Sequence, residues 1–553
     1  MAFFQSPPQL DNTFDGDALL REYLERHLPK EAHGPVAESL RDMGEWSAKM
    51  HPRATDEGRD EPKLVQWDAW GNRVDRIELT PLWREAARAA AEKGVVAAAY
   101  DAKYGEHARI HQFGLVYLFE PSSHVYSCPL AMTDGALRTL RAAKNEELYR
   151  RVLPRLASRD PKTAWTSGQW MTERTGGSDV GTSETVARKD GDRWTLWGTK
   201  WFTSAATSEV ALTLARPEGN PPGGRGLALF YLETRRADGS LNGITIARLK
   251  DKLGTRMLPT AELHLEGTVA VPVKGLDGGV KNITQMLTTT RTWNSVAGIA
   301  GSRRMLTLAI DYARRRSAFG GPLSDKPLHV DTLAGLVAEL EGAFLLTFRC
   351  VQLMGREEHA TMTEEEAALF RLLVPIAKLT TGRQAVHIAT EVAEAFAGAG
   401  YVEDTGIPRL VRDAQVLTIW EGTTNVLSLD VLRVLSKGGS LAPIHREIDR
   451  CAAGLKDATL KECAAAAKRA VGRAEEWVGK ALGDSPAAVE AGARRFALTL
   501  GRAVELALLA DHAQWALDRG AARSAAAARR LLRNGVDLVD AAIDGRDAKL
   551  LVG

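Results

Sequence analysis

Glu421 stands between Trp420 and Gly422 in VLTIWEGTTNVLSLDVLRVLSK (Val416–Lys437), just ahead of a Thr-Thr-Asn run. Val426, Leu429, Val431, Leu432 and Leu435 recur at helical spacing, and the hydroxyl of Thr423 or Thr424 suits an N-cap. Two readings of the carboxylate are open. It is a first-turn acid favoured by the helix dipole, or a general base held in an aromatic, glycine-loosened turn. Other chemistries find little support. Cys128, Cys350, Cys451 and Cys463 are scattered with no C-x-x-C pair, so neither structural zinc nor a disulfide framework is expected, and no metal site is assigned. There is no P-loop, and GAGYVE follows a helical pattern rather than a strand, which weighs against a dinucleotide fingerprint.

The elements that must position Glu421 fall into four segments. Residues 1–165 carry mainly helical signals, in DALLREYLERHL, PLWREAARAAAEKGVVAAAY and DGALRTLRAAKNEELYRRVLPRL. Residues 166–278 change to short β-favouring runs, with a hairpin at Asp190-Gly191-Asp192, and predict an antiparallel, barrel-like β-domain. Residues 279–438 return to long helical periodicity and predict an antiparallel bundle. After the Gly-Ser-Pro linker Ser436–Ile444, residues 439–553 predict an Ala-rich helical appendage with its own small core. The fold class is therefore α+β, mostly α. The 553 residues are 44% hydrophobic and 26% charged, with a formal net charge of +2, so no global excess of charge points to a polyelectrolyte partner. No run approaches the ~18 apolar residues of a membrane span, no membrane association is expected, and a cytoplasmic location is the expectation.

Five co-linear segments carry a resemblance. WMTERTGGSDVG (170–181), GTKWFTSA (198–205), RLKDKLGTR (248–256), TRTWNSVAGIAGSRRMLTLAIDYARRRSAFGGPL (290–323) and FAGAGYVEDTGIPRLVRDAQVLTIWEGTTN (396–425) resemble motifs of acyl-CoA dehydrogenases, in the family's order. Trp420 in place of the usual Tyr, Glu394 in place of Gln, the run LDVLRVLSK and the helical tail resemble the AidB-type branch, flavoproteins of the adaptive response to alkylation. The resemblance implies FAD-dependent α,β-dehydrogenation of an acyl-CoA thioester, with Glu421 as the base that removes the α-proton. Thr290, where some members carry the base, offers none.

For the flavin, the resemblance implies Thr172, Gly177 and Ser178, beside Gly176, on the isoalloxazine and pyrophosphate loop. Small residues with free N–H groups suit a diphosphate, and the same run also reads as a plain β-turn. Trp201, Phe202, Thr203 and Ser204 would line the ring, or form an ordinary strand with core aromatics. Ile419 and Trp420 would lie beside the ring, and Arg316 and Phe319 would reach a neighbouring subunit's FAD; alone, Arg316 reads as a solvated helix-end arginine. Asn425 would meet the same site or cap its helix. Ser178, Arg291, Trp420 and Gly422 are the implied substrate-binding residues. Arg174 departs from the family's proline in a loop near the pantetheine path. Implied partners are an acyl-CoA, an electron-transfer flavoprotein as acceptor, and further copies of the chain in a tetramer built as a dimer of dimers.

A DNA-associated flavoprotein with weak dehydrogenase activity is the alternative. Residues 441–553 carry 18 Lys/Arg against 15 Asp/Glu, too little for charge alone to hold nucleic acid. Arg519, Arg523, Arg530 and Arg533 nonetheless share roughly one helical face, to be read as a solvated stripe or a phosphate platform. DNA is the less favoured partner, and a tail that only adds packing explains the Ala-rich composition equally well.

Overall fold

The computed structural model describes residues 6–57, 59–101, 103–539 and 545–553. The chain opens with α1 (Ala18–His27) and α2 (Lys30–Asp56), a hairpin of β1 (Lys63–Trp67) and β2 (Arg73–Glu78), then α3 (Pro81–Glu92), α4 (Ala108–Phe119), α5 (Ser127–Ala143) and α6 (Glu146–Leu156). Strands follow: β3 (Ser167–Trp170), β4 (Val186–Asp190), β5 (Arg193–Thr203), β6 (Val210–Pro217), β7 (Ala228–Glu233), β8 (Ile244–Leu249) and β9 (Ala261–Pro272). Next come α7 (Gly279–Asn282), α8 (Thr284–Arg315), a two-residue ladder of β10 (Ser317–Ala318) and β11 (Gly321–Pro322), α9 (Pro327–Glu358), α10 (Glu364–Ala395), α11 (Ile407–Val416) and α12 (Thr424–Ser436). The tail is α13 (Ala442–Ala452), α14 (Ala458–Asp484), α15 (Pro486–Leu517), α16 (Arg523–Asn534) and α17 (Gly545–Val552). Two compact units result: Met1–Glu45 with Tyr104–Ile110 and Asn294–Gly553, and Trp46–Lys103 with His111–Trp293.

In the second unit, β6, β4, β5, β9 and β7 pair in turn and β7 returns to β6, so the strands close into a small barrel, with β3 on β6 and β8 on β9. Closure removes the free edges that an open sheet leaves. Trp170, Leu196, Phe230, Ile246, Leu263 and Leu265 fill its interior. The Asp190–Arg193 hairpin forms as expected, with Gly191 at φ 58° supplying the left-handed turn residue. Two pairings, β3 with β6 and β4 with β6, run parallel where an antiparallel domain was expected. The β4–β5 hairpin reverses the chain, and the turn into β6 reverses it again. Residue alternation along one strand does not encode the direction of its partner. The β1–β2 hairpin inside the helical N-terminal region was not expected either. Its signal is an Asp-Ala-Trp-Gly-Asn turn between two five- to six-residue runs, with Gly71 at φ 82°.

In the first unit, α8 from Asn294 onward and the 32-residue helices α9 and α10 frame the bundle. Thr363 and Glu366 close a capping box at the start of α10. The tail does not keep a core to itself. α15 is buried along most of its length, through Phe496, Leu500, Val504 and Leu508, and packs on α9, α10 and α12. Glycines allow the close approach: a Cβ at Gly342 of α9 would lie 2.8 Å from Leu531, and one at Gly501 of α15 would lie 2.2 Å from the Thr380 hydroxyl of α10. An apolar helix rich in Ala and Gly has no single buried stripe, so it is covered on several sides.

Candidate active site

Glu421 lies in the seven-residue turn between α11 and α12. Thr423 is the N-cap of α12, its hydroxyl accepting from the Val426 N–H at 3.4 Å. The carboxylate thus sits two residues outside the cap, not in the first helical turn. Glu421 takes φ 58° and Gly422 φ 102°. A left-handed backbone costs an L-residue with a Cβ roughly 1–2 kcal/mol, so the surroundings must hold it, and they do so from two helices. The ammonium of Lys378, 1% exposed on α10, donates to the Gly422 carbonyl at 2.6 Å. On α8, the buried Asn294 takes the Trp420 indole N–H on its side-chain oxygen and donates from its amide to the Leu417 carbonyl at 3.2 Å. Trp420 packs against Ala297, Ala385, Val416 and Leu417. Ile419 is 60% exposed beside it.

The second unit holds the other group of candidate residues, on the loop after β3 and the end of β5. The Trp201 N–H donates to the Thr172 carbonyl at 2.9 Å, which joins loop to strand. Gly177 lies so near Thr172 that a Cβ there would meet its hydroxyl at 2.6 Å, and Gly176 has φ 123°. Ser178 and Arg174 are exposed. What pins the loop is a buried ion pair: Lys200, fully buried on β5, reaches Glu173 at 2.7 Å and the Leu214 carbonyl at 2.8 Å. Glu173 also accepts from the Glu184 and Thr185 N–H groups and the Thr185 hydroxyl. Burial works against its charge, but Lys200 and these hydrogen bonds outweigh it and hold the carboxyl below its ordinary range. Phe202 is 52% exposed, and the Lys250 ammonium lies 3.5 Å from the Trp201 ring centre and 4.6 Å from that of Phe202. The Ser204 hydroxyl bonds that of Thr260 at 3.3 Å. The Thr203 hydroxyl is 1% exposed and, among the described residues, has no hydrogen-bond partner.

Arg291 lies half-buried on α8, in the second unit's part of that helix. Thr290 beside it turns its hydroxyl back onto the Met286 carbonyl at 3.0 Å, so it is spent within the helix. Arg316 follows α8 directly, half-buried, its N–H on the Tyr312 carbonyl. Phe319 is 93% exposed and, with Gly320, makes the β10–β11 turn at φ 51° and 81°, both left-handed. Asn425 accepts from Arg494 of α15 at 3.4 Å, while the helix cap belongs to Thr423. Sequence reasoning missed Glu173, Lys200, Asn294 and Lys378. Lys378 had a signal, a lone charge in the apolar run LLVPIAKL, since a buried Lys requires a partner. Asn294 had none.

Comparisons with known proteins cover most of the chain. Residues 5–161 match the family described as adaptive response protein AidB N-terminal domain, 168–268 the acyl-CoA dehydrogenase middle domain, 277–436 the acyl-CoA dehydrogenase C-terminal domain, and 444–544 the acyl-CoA dehydrogenase 11 C-terminal domain-like family. Acyl-CoA dehydrogenase family member 11 of Caenorhabditis elegans is 42% identical over 528 residues, covering 92% of this chain and 86% of that one. AidB of Escherichia coli strain K12 is 34% identical over 389 residues, 68% of this chain and 69% of that one. The crystal structure of Caenorhabditis elegans ACDH-11 in complex with C11-CoA superposes with a TM-score of 0.93 at 40% identity, covering 98% of this chain and 94% of that one.

Proposed function

The chain belongs to the acyl-CoA dehydrogenase family, with AidB-like features, and we propose that it is an FAD-dependent enzyme that desaturates an acyl-CoA between its α and β carbons. The observation that carries this reading is the Trp420–Glu421–Gly422 turn. A strained, left-handed carboxylate is held from two helices by Asn294 and Lys378, in the segment that matches the family's C-terminal domain. Strain maintained at such expense is a mark of functional sites.

The carboxylate of Glu421 removes the α-proton and retains it. FAD, when bound, would supply the hydride acceptor for the β-hydrogen, so that the substrate would give up two electrons and gain an α,β double bond. Trp420 keeps water from the carboxylate, and the fixed turn sets its direction, because a base must be within hydrogen-bond reach of the proton it takes. The second unit's residues fit a flavin. Thr203 carries a buried hydroxyl with a donor and an acceptor unspent, at a cost of about 1–3 kcal/mol if left so. The 172–178 loop, narrowed by Gly177 and pinned by Glu173 and Lys200, offers backbone N–H groups to a diphosphate. Arg316, the protruding Phe319, Asn425 and Ser178 are proposed for the flavin, and Ser178, Arg291, Trp420 and Gly422 for the substrate. An electron-transfer flavoprotein would take the electrons, and assembly into a tetramer would bring Phe319 to another copy's flavin.

A DNA-associated role draws on the likeness to AidB, and one observation bears against it. Two of the four stripe arginines are engaged by carboxylates of α9. Arg523 pairs with the buried Glu341 and Arg530 with Asp331, both on α9, while Arg519 stacks on Trp515 at 4.2 Å. Arg523 and Arg530 dock the tail on α9.

Anaerobic titration of the purified protein with straight-chain and branched acyl-CoAs tests the enzyme reading through bleaching of the flavin band. Glu421→Gln should retain the flavin and fold while the bleaching rate falls on the order of 10²–10⁴-fold, as general-base loss does. Unchanged bleaching would place the base elsewhere, and a protein that binds no FAD would end the reading.

A further inference from the structure

Away from the Glu421 turn, the first unit contains a cavity of about 320 Å³ walled by α1, the Glu106–Ile110 segment, α9, α10 and the tail helices α13 and α15. Four guanidiniums face it, those of Arg26, Arg349, Arg356 and Arg450, with His27, His107 and His512. Its carboxylate oxygens are already committed except one of Glu106, whose other oxygen accepts from the Thr361 hydroxyl. Each Glu447 oxygen accepts from both Arg349 and Arg450, and Asp511 takes Arg26 on one oxygen and Arg450 on the other. One Glu366 oxygen takes Arg356 and the other the Thr363 N–H and hydroxyl.

The donors are not exhausted. A guanidinium carries five N–H groups, and among the described residues Arg26 donates one hydrogen bond, to Asp511 at 2.9 Å. Arg356 bonds Glu366 and the Thr361 carbonyl, leaving its buried Nε–H without a hydrogen bond, 3.9 Å from Glu106. The guanidiniums are met by the carboxylates of Glu106, Glu366, Glu447 and Asp511, and the charges acting on His27 are cationic. Burial first, and then Arg26, His512, Arg349 and Arg450, hold His27 well below the usual histidine range. Tyr23, Ile110, Leu345 and Leu508 form an apolar side.

Among the described residues lining the cavity, one Glu106 oxygen is the single carboxylate oxygen without a hydrogen bond, against several spare guanidinium N–H groups, and that balance suits an acceptor-rich anion. We infer that this cavity binds a compact oxyanion, inorganic phosphate or a small phosphomonoester, seated on Arg26 and Arg356 between the N-terminal helix and the tail. Arginine suits such a ligand because its planar fork matches phosphate oxygens. At about 30 Å³ per water, the volume exceeds what a bare phosphate needs, and the apolar side can receive a small organic group. Occupancy would tie α1, α9 and α15 together and so couple the tail's docking to the supply of the anion.

Calorimetry on the full-length flavoprotein tests this, with inorganic phosphate and phenyl phosphate as probes and without any acyl-CoA, so that failure of turnover and failure of this site are separate results. Saturable binding below about 1 mM is expected. Arg26→Gln should weaken both probes about tenfold or more, the worth of a charged hydrogen bond. His107→Trp, which adds bulk at the rim without touching an arginine, should weaken phenyl phosphate. Tighter binding of phenyl phosphate than of phosphate supports an organic phosphoester as the ligand, and equal binding supports phosphate itself. No binding of either probe at 10 times that concentration, or binding that neither variant changes, would overturn the inference and leave the cavity as a seam of ion pairs.

Discussion

Lys200→Met removes the ammonium from a pair that is almost wholly out of water, Lys200 at 0% and Glu173 at 2% side-chain exposure, 2.7 Å apart. Breaking a buried pair from one side leaves a buried charge and costs about 3–5 kcal/mol. Glu173 keeps the Glu184 and Thr185 N–H groups and the Thr185 hydroxyl, which argues for the lower end, while the Leu214 carbonyl loses a donor worth about 1 kcal/mol. The double variant Lys200→Met with Glu173→Gln removes the charge altogether and should cost only about 1–2 kcal/mol, the two changes being strongly non-additive. Hydrogen exchange of peptides covering Glu184–Ala187 and Thr199–Thr203 reads the local opening directly. About 3 kcal/mol corresponds to roughly 100-fold faster exchange in the single variant, and the double variant should recover most of it. Equal exchange in single and double variants would refute the claim that an uncompensated Glu173 charge is what opens the loop. The pH dependence has a fixed sign. Glu173's carboxyl is held below its ordinary range, so its contribution is present above the unfolded pKa and is lost as the pH falls through the folded one.

Glu505 on α15 behaves oppositely: fully buried, it is pushed up to about 8 by burial, opposed by Arg502 and aided by Glu339, with Gln384 donating to it at 3.0 Å. A raised carboxyl favours the protonated fold, so stability should fall as the pH rises from about 4.5 to 8, and Glu505→Gln should flatten that slope in thermal melts. Lys378→Met should slow acyl-CoA-dependent bleaching at least about tenfold, since the Gly422 carbonyl loses a charge-assisted hydrogen bond of about 1.5–3 kcal/mol, while absorbance shows flavin content unchanged. Changing Arg523 and Arg530 together to Ala should increase exchange of α16 and leave retention of a labelled DNA duplex at 50 mM salt unchanged and weak; a clear loss of retention would favour the nucleic-acid reading.

Much of this architecture was legible in the residues. The helical bundle, the Asp190–Arg193 hairpin and the start of α12 at Thr424 follow from periodicity, turn chemistry and a capping hydroxyl, which are local properties. The parallel pairing of β6 and the spread of α15 over three bundle helices were not, because they depend on partners far away in the chain. The same division runs through the candidate site. Glu421 announces itself by its neighbours. Asn294 is 127 residues distant and matters only because α8 delivers its amide to Trp420 and Leu417. Lys200 sits between Thr199 and Trp201 in what reads as an ordinary strand, and its meaning comes from Glu173 across the loop.

The left-handed backbone at Glu421 has a consequence for how the chain can change over generations. Glycine there would relax the turn, and stability alone would reward the replacement. Drift under selection for folding therefore runs away from glutamate at this position, towards Gly or Asn. Selection for proton removal runs the other way. A lineage of this chain that lost its substrate would be expected to shed the carboxylate early, before the bundle core decayed. Residue 421 therefore records whether the site is still in use.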